Sequence, residues 1–210
     1  MKGKFVVIEG LDGSGKSTQV KRLAASLKDR GIEAVITREP TDGYIGKYLR
    51  DMLSKSDNKD MALQGALFLA DRLDHITNPV NGIKSYLDKG ITVICDRYYY
   101  SSFAYQGTAA DMNWVMDMNL NAPSILTPDI CIFLDVSAET CMDRLEKERE
   151  NLELYEKDID IMTQIRDNFY SVFNKLKTRK NINVINGNRL PADIAEDILG
   201  TVLNTYEVRK

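Results

Sequence analysis

The chain has 210 residues, of which 43% are hydrophobic and 28% are charged, and its net charge is -3. This length suits one well-packed core better than two, so we expect a single domain over residues 1–210. The acidic balance argues against a nucleic-acid partner, because counterion release from nucleic acid requires a basic surface.

The first predicted strand leads into a glycine-rich loop. Residues 5–8 form an apolar, β-branched run, residues 10–17 match G-x-x-x-x-G-K-[ST], and helical spacing follows. Such glycines let backbone N–H groups approach a polyphosphate closely, so the loop predicts binding of a nucleoside triphosphate. Lys16 would reach the outer phosphates and Ser17 would ligate Mg²⁺. The predicted nucleotide contacts here are Gly10, Leu11, Asp12, Gly13, Ser14, Gly15, Lys16, Ser17 and Thr18.

Further along the chain, short β-rich runs alternate with helical spacing. The pattern predicts further strands at residues 32–37, 91–95, 130–135 and 182–185. It predicts helices at 44–53, 61–87 and 111–121, a charged helix from residue 138, an apolar-striped helix over 161–176, and a C-terminal helix from Pro191. We therefore expect an α/β fold, a five-stranded parallel sheet with helices on both faces, that binds ligands at the carboxyl ends of its strands.

The third predicted strand ends in Asp96 and Arg97. Asp96 can hold Mg²⁺ or accept a proton from an attacking group, and Arg97 can bind phosphate oxygens in a bidentate fork. Both roles belong to phosphoryl transfer. An Asp–Arg ion pair that only caps the strand is the alternative.

The three cysteines, Cys95, Cys131 and Cys141, lack C-x-x-C spacing, and the first two fall in predicted buried strands. Reduced structural thiols in a reducing compartment fit this pattern. The sequence shows no secretory signal pattern, and its apolar runs are shorter than a membrane span. We therefore expect a cytoplasmic protein with no membrane partner.

Several motifs together resemble the thymidylate kinases, a P-loop nucleoside monophosphate kinase family. They are residues 8–19 (IEGLDGSGKSTQ), 37–40 (TREP), 96–98 (DRY), 101–102 (SS) and 104–107 (AYQG). The similarity covers essentially the whole chain, and the combination is more specific than the phosphate loop alone. The resemblance implies transfer of the γ-phosphoryl group of ATP to dTMP, which gives dTDP and ADP, with Mg²⁺ as cofactor. It also implies a five-stranded parallel core, a mobile lid and a homodimer.

The resemblance implies how the base of dTMP is bound. Phe68 and Arg72 lie four residues apart and share a helical face. In the family the aromatic ring stacks on thymine and the arginine donates to its O4, which rejects cytosine. Because Leu63 and Leu67 also form an apolar stripe, Phe68 as a core residue stays an alternative. We expect the lone His75 to be a surface or interface residue.

The resemblance also assigns the sugar and phosphate contacts. Asp12 would receive the sugar 3′-OH, Arg97 would bind the acceptor phosphate, and Arg38 is a second candidate for that role. Tyr105 would pack on the sugar and disfavour a 2′-OH, and Tyr155 would cover the nucleotide from the lid. The predicted substrate contacts are completed by Ser102 and Gln106.

A lid near residues 142–157 is implied to supply a catalytic cation. Some family members carry an arginine in the phosphate loop where this chain has Gly13, so here the cation should come from the lid. Arg144, Lys147 and Arg149 are the candidates. The hypothesis assigns catalysis to Arg149, together with Lys16 and Asp96, and stacking on adenine to Arg144.

Two other functions fit parts of the sequence. A deoxynucleoside kinase shares the start of the loop and a lid, but its uncharged acceptor has no need of Arg38 and Arg97. A regulatory GTPase or a non-catalytic nucleotide-binding module is the second alternative. The sequence has no Asn-Lys-x-Asp guanine motif, and it retains Lys16, Ser17 and Asp96.

Overall fold

The computed structural model describes residues 2–54, 60–148, 158–176 and 181–207. Five strands alternate with nine helices within these ranges. The strands are β1 (Phe5–Gly10), β2 (Ala34–Arg38), β3 (Thr92–Asp96), β4 (Ile130–Asp135) and β5 (Ile182–Asn186). The helices are α1 (Lys16–Lys28), α2 (Tyr44–Ser54), α3 (Met61–Thr77), α4 (Ile83–Asp88), α5 (Tyr99–Gln106), α6 (Met112–Leu120), α7 (Ala138–Glu148), α8 (Ile159–Lys175) and α9 (Pro191–Glu207).

The strands form one parallel sheet in the order β2-β3-β1-β4-β5. At its centre Val7 pairs with Cys95 on one side and with Cys131 on the other. This confirms the predicted α/β class, and the predicted strands lie within two residues of the observed ones. The carboxyl ends of all five strands share one edge of the sheet, where ligands bind in folds of this type.

Alternate residues of β1 enter two hydrophobic cores, as the two-residue period of a strand requires. Val6 and Ile8 pack with apolar residues of α1 and α9 on one face. Phe5 and Val7 pack on the other face with residues of α5, α7 and α8. The second core contains a cluster of aromatic rings, among them Phe133, Phe169 and Phe173.

The prediction of one helix over 61–87 is wrong. The chain forms α3 and α4 instead, separated at Asn78, whose backbone leaves the helical region at φ -55° and ψ 123°. Pro79 follows, and a proline disfavours helical geometry in the residue before it. The prediction also missed α5, whose residues are all buried and therefore show no amphipathic period.

Within the ranges described above, we find no helix that combines the length and the apolar character needed to cross a membrane.

Candidate active site

The phosphate loop lies between β1 and α1, and its backbone has the shape that the motif predicts. Gly10, Gly13 and Gly15 have positive φ angles, which glycine adopts at little cost. Gly13 is also crowded, because a Cβ there would lie 2.5 Å from the carbonyl oxygen of Cys141 and 3.0 Å from Leu145 Cγ. Helix α7 thus packs directly on the loop and excludes a side chain at position 13.

Lys16 lies inside the loop and is buried. Its Nζ donates to the carbonyl oxygen of Leu11 at 2.7 Å and lies 3.9 Å from Asp12 Oδ1. Burial and the nearby Arg97 guanidinium lower the pKa of Lys16. Arriving phosphate oxygens would offset both effects, so the loop is prepared for an anion.

Ser17 and Asp96 bring two oxygen groups together beside the loop. Ser17 Oγ donates to Asp96 Oδ2 at 2.8 Å. The other carboxylate oxygen, Asp96 Oδ1, is buried and has no hydrogen-bond partner among the described residues. A hydroxyl and a carboxylate with an unused oxygen are the donors that Mg²⁺ prefers, so this pair fits the ion.

Arg97 joins the phosphate loop to the end of β3. Its guanidinium forms an ion pair with Asp12 and donates to Ser101 Oγ and Tyr105 OH, both at 3.0 Å. Tyr105 OH donates in turn to Asp12 Oδ2 at 3.0 Å. Burial raises the pKa of Asp12, but Arg97 and Lys16 outweigh it and hold that pKa well below its ordinary value.

The backbone of Arg97 has a φ of 68°, in the left-handed region that residues with side chains rarely adopt. Such strain persists only where the surroundings enforce it, and it recurs at functional sites. Here the conformation directs the guanidinium of Arg97 toward the phosphate loop.

Arg72 is fully buried on α3 and held on three sides. Its Nε donates to Glu39 Oε2 at 2.8 Å, and its Nη2 donates to Ser102 Oγ at 3.1 Å. Its Nη1 donates to Asn119 Oδ1. The Asn119 amide is itself oriented, because its Nδ2 donates to the carbonyl oxygen of Val115 at 2.9 Å.

The expectation that His75 lies at the surface is wrong. The ring is buried, with Nε2 2.7 Å from Thr37 Oγ1 and Nδ1 3.0 Å from Glu39 Oε1. Cys95 completes a trio of possible metal ligands with Glu39 and His75, but its Sγ donates to the carbonyl oxygen of Arg97. Because Glu39 is already neutralised by Arg72, we interpret the trio as the support that orients this arginine.

Two openings flank the Asp12–Arg97 pair. A cleft of about 490 Å³ runs along the phosphate loop to the residues that follow β5. A cavity of about 110 Å³ lies on the α3 and α5 side. It is lined by Asp12, Glu39, Pro40, Leu53, Phe68, Arg72, Arg97, Tyr98, Ser101, Ser102, Tyr105 and Gln106.

Comparison with known proteins agrees with this geometry. A family model described as thymidylate kinase matches residues 8–198. A probable thymidylate kinase of Pyrococcus horikoshii is 35% identical over 208 residues, covering 96% of this chain and 97% of the relative. A thymidylate kinase of Carboxydothermus hydrogenoformans is 32% identical over 203 residues, covering 95% and 97% of the two chains.

The chain belongs to the thymidylate kinase family.

The residues assigned to dTMP by resemblance to this family are mostly brought together. Seven of them line the small cavity: Asp12, Phe68, Arg72, Arg97, Ser102, Tyr105 and Gln106. Arg38 is not among them. It is largely exposed, lines the neighbouring cleft and forms an ion pair with Asp42 at 2.9 Å.

Arg144 bridges two walls of the larger cleft, with donations at 3.3 Å to the carbonyl oxygens of Gly13 and Gly187. The family resemblance assigns Arg144 to stacking on adenine, and that role stays a prediction. Lys147 is exposed on α7. Arg149 and Tyr155 lie outside the described residues, so their assigned roles stay predictions.

Sequence reasoning missed two polar residues that hold residues lining the small cavity, since Asn119 binds Arg72 and Arg50 binds Pro40. Asn119 lies in a helix of mixed polarity and gives no sequence signal, although it binds Arg72. Arg50 Nη1 donates to the carbonyl oxygens of Pro40 and Thr41 at 2.7 and 2.6 Å, and its Nη2 donates to Asp42. An arginine on the polar face of an amphipathic helix gives no sequence signal for such a role.

Glu9 was also missed, although it immediately precedes the phosphate loop. It is fully buried and accepts hydrogen bonds from the backbone N–H groups of Tyr98 and Ser101 and from Ser101 Oγ. Burial raises the pKa of Glu9 to about 7, although these bonds and Arg97 act in the opposite direction.

The raised pKa of Glu9 predicts a pH-dependent contribution to stability. The stabilisation that this shift gives to the folded state is complete below the ordinary pKa of 4.5 and is lost as the pH rises through about 7. The reason is that the Glu9 carboxyl of the unfolded chain ionises at a lower pH than that of the folded chain. From pH 5 to pH 8, wild type should lose on the order of 2 kcal/mol more unfolding free energy than Glu9→Gln. Urea titrations at both pH values measure this difference, and parallel pH dependences would contradict it.

Proposed function

We propose that the described site performs the thymidylate kinase reaction, with ATP in the larger cleft and dTMP in the small cavity. The observation that carries this proposal is the position of the Asp12–Arg97 pair, which borders both openings. Two anionic phosphates can approach each other only with cations around them, and this boundary carries Arg97 and Lys16. The reaction moves the γ-phosphoryl group of ATP to dTMP and gives dTDP and ADP.

The thymine ring would lie between Phe68 and the polar end of the cavity. Arg72 uses its Nε, one N–H of Nη1 and one or more of Nη2 within the protein, so an N–H of Nη1 is left to donate to O4. Gln106 is buried, lines the cavity and makes no side-chain hydrogen bond to a described residue. Its amide offers a donor and an acceptor, which match O4 and N3–H of thymine.

Hydrogen bonds now join Asp12, Arg97 and Tyr105 at the boundary. The sugar and phosphate of dTMP would replace some of these bonds. Tyr105 fills the space beside the sugar, which disfavours a 2′-OH, and Asp12 can accept from the 3′-OH. Arg97 would exchange part of its contact with Asp12 for the acceptor phosphate. Its fork geometry suits two phosphate oxygens.

On the donor side, Lys16 would exchange the Leu11 carbonyl oxygen for the outer phosphates of ATP. Mg²⁺ would be held by Ser17 and Asp96, and when bound it neutralises charge on the β- and γ-phosphates. Arg144 would stack on adenine from α7. The crowding at Gly13 supports a catalytic cation from elsewhere, and Arg149 stays the prediction for that role.

A deoxynucleoside kinase is a poorer fit to the acceptor side. Its acceptor carries no phosphate, so the strained conformation of Arg97 beside the cavity would have no ligand to bind. Comparing thymidine with dTMP as acceptor separates the two functions.

The polarity of α3 supports a homodimer. Its buried residues include Gln64, Asp71, Arg72 and His75, so polar groups face the interior. Its outer face carries Leu63, Ala66, Leu67, Ala70 and Leu73, which are exposed or half-buried. Because an ordinary surface helix has the reverse polarity, we propose that a second copy of the chain covers this face.

We also propose a cytoplasmic location. The three cysteines are buried free thiols, which suits a reducing compartment. The substrates of the reaction are small nucleotides, and the net charge of -3 gives no basic surface for nucleic acid.

The first functional prediction concerns Lys16. Lys16→Ala should lower kcat by roughly a thousandfold, because a charge contact to the transferred phosphoryl group disappears. Circular dichroism should show an unchanged fold, and the exposed Lys28→Ala on the same helix should keep full activity. Near-normal turnover of Lys16→Ala would contradict the assignment.

The second concerns Arg72. Removing its charge would leave the buried Glu39 without the Arg72 guanidinium and with only the His75 ring as a partner, so Arg72→Lys is the better probe. An ammonium cannot reproduce the planar fork of the guanidinium. The loss of kcat/KM for dTMP should correspond to about 2–3 kcal/mol of transition-state stabilisation, and the enzyme's preference for dTMP over dCMP should narrow. The exposed Arg30→Lys is the matched control. An unchanged ratio of dTMP to dCMP activity would remove Arg72 from base recognition.

The third concerns the outer face of α3. Ala66→Glu should convert the dimer into a monomer, because a charge would be buried in the interface. Light scattering after gel filtration measures the mass, and Ala25→Glu on the exposed side of α1 serves as the control. A wild-type protein that is already monomeric would contradict the proposed dimer.

A further inference from the structure

Helix α5 has no side-chain cap from its own N-cap residue. Its N-cap residue is Tyr98, whose side chain accepts no hydrogen bond from the helix. The first N–H groups of a helix have no partner within it. A capping box commonly binds two of them, those of the N-cap and N3 residues, through two side chains of the helix. In α5 these groups belong to Tyr98 and Ser101.

Glu9 reaches both N–H groups from another part of the chain, and it shares the Ser101 N–H with the carbonyl oxygen of Tyr98, which lies 3.1 Å from Ser101 N. A single oxygen, Oε1, accepts from Tyr98 N at 2.9 Å and from Ser101 N at 3.1 Å. The other oxygen, Oε2, accepts from Ser101 Oγ at 2.5 Å. The carboxylate also lies at the positive end of the helix, where an anion is favoured.

The position of Glu9 connects this cap to the two halves of the site. It is the residue before Gly10, so it is fixed to the phosphate loop, and it pairs with Phe133 in the sheet. Helix α5 carries Ser102, Tyr105 and Gln106 on one face, at the spacing that lines the small cavity.

We propose that Glu9 is a positioning residue for the acceptor nucleotide, because its carboxylate caps α5 from β1 and thereby sets the distance between the phosphate loop and the acceptor cavity. The proposal rests on the proposed function, since it takes the small cavity as the dTMP site. Glu9 itself touches no reacting atom in this account. Its effect on binding passes through α5.

The test compares Glu9→Met with Glu9→Gln at about pH 8, where the wild-type carboxyl is mostly ionised. The two side chains have similar size, but only glutamine keeps an oxygen that can accept from Tyr98 N and Ser101 N. Glu9→Met should raise KM for dTMP about tenfold and change KM for ATP less than about threefold. Glu9→Gln should keep KM for dTMP within about threefold of wild type.

Thr92→Val is the control for a general loss of stability. It removes a buried hydroxyl at the amino end of β3, where Thr92 Oγ1 binds Lys4 N and Tyr206 OH, far along the strand from the site. It should lower the unfolding midpoint and leave both KM values unchanged. If Glu9→Met does not fold, Glu9→Asp gives the comparison, because a carboxylate that is one methylene shorter cannot reach both N–H groups, and KM for dTMP alone should rise a few-fold.

Three outcomes would overturn the inference: an unchanged KM for dTMP in folded Glu9→Met, an equal rise in both KM values, or a Glu9→Gln variant as impaired as Glu9→Met. The companion variant Arg72→Lys distinguishes a failure of the inference about Glu9 from a failure of the proposed function. If Arg72→Lys weakens dTMP and Glu9→Met does not, only the inference fails. If neither variant changes KM for dTMP, the small cavity is not the acceptor site.

Discussion

The ion pair of Arg97 with Asp12 joins the two halves of the site, and the surrounding structure is arranged to maintain it. Arg97 comes from the end of β3 and Asp12 from the loop after β1, so the pair exists only because these strands are neighbours in the sheet. The positive φ of Arg97 adds a local strain that the ion pair and the bonds to Ser101 and Tyr105 offset. In the proposed reaction, the acceptor phosphate would replace the carboxylate of Asp12 as a partner of Arg97.

Around this pair, polar groups occupy positions that a core would otherwise fill with apolar side chains. Glu9, Glu39 and Arg72 are buried, and each is hydrogen-bonded to other residues of the chain. A buried charge of this kind is costly unless it is paired, so these networks hold their members in one geometry. The consequence reaches the outer surface, because α3 turns its polar face inward and carries apolar residues on its outer face, which the proposed dimer would cover.

The sequence predicted the parts of the molecule with strong local signals. The phosphate loop, the parallel sheet and the residues of α3 and α5 that line the small cavity follow from glycine spacing, β-rich runs and motif resemblance. The structure differs where tertiary contacts decide. Helix α5 is buried on all sides and shows no period, and His75 is polar yet buried because Glu39 and Thr37 bind it. Asn119 and Glu9 act through partners distant in sequence, which no local pattern reveals.

The proposed reaction is phosphoryl transfer from ATP to a deoxynucleoside monophosphate across the Asp12–Arg97 boundary. The most direct test incubates the full chain with Mg²⁺ and γ-labelled ATP and offers dTMP, dCMP, dAMP, dGMP and thymidine separately as acceptors. We expect labelled dTDP from dTMP, much less product from the other monophosphates, and no labelled product from thymidine. Labelling of thymidine at the rate of dTMP, or release of ADP without transfer to any acceptor, would contradict it.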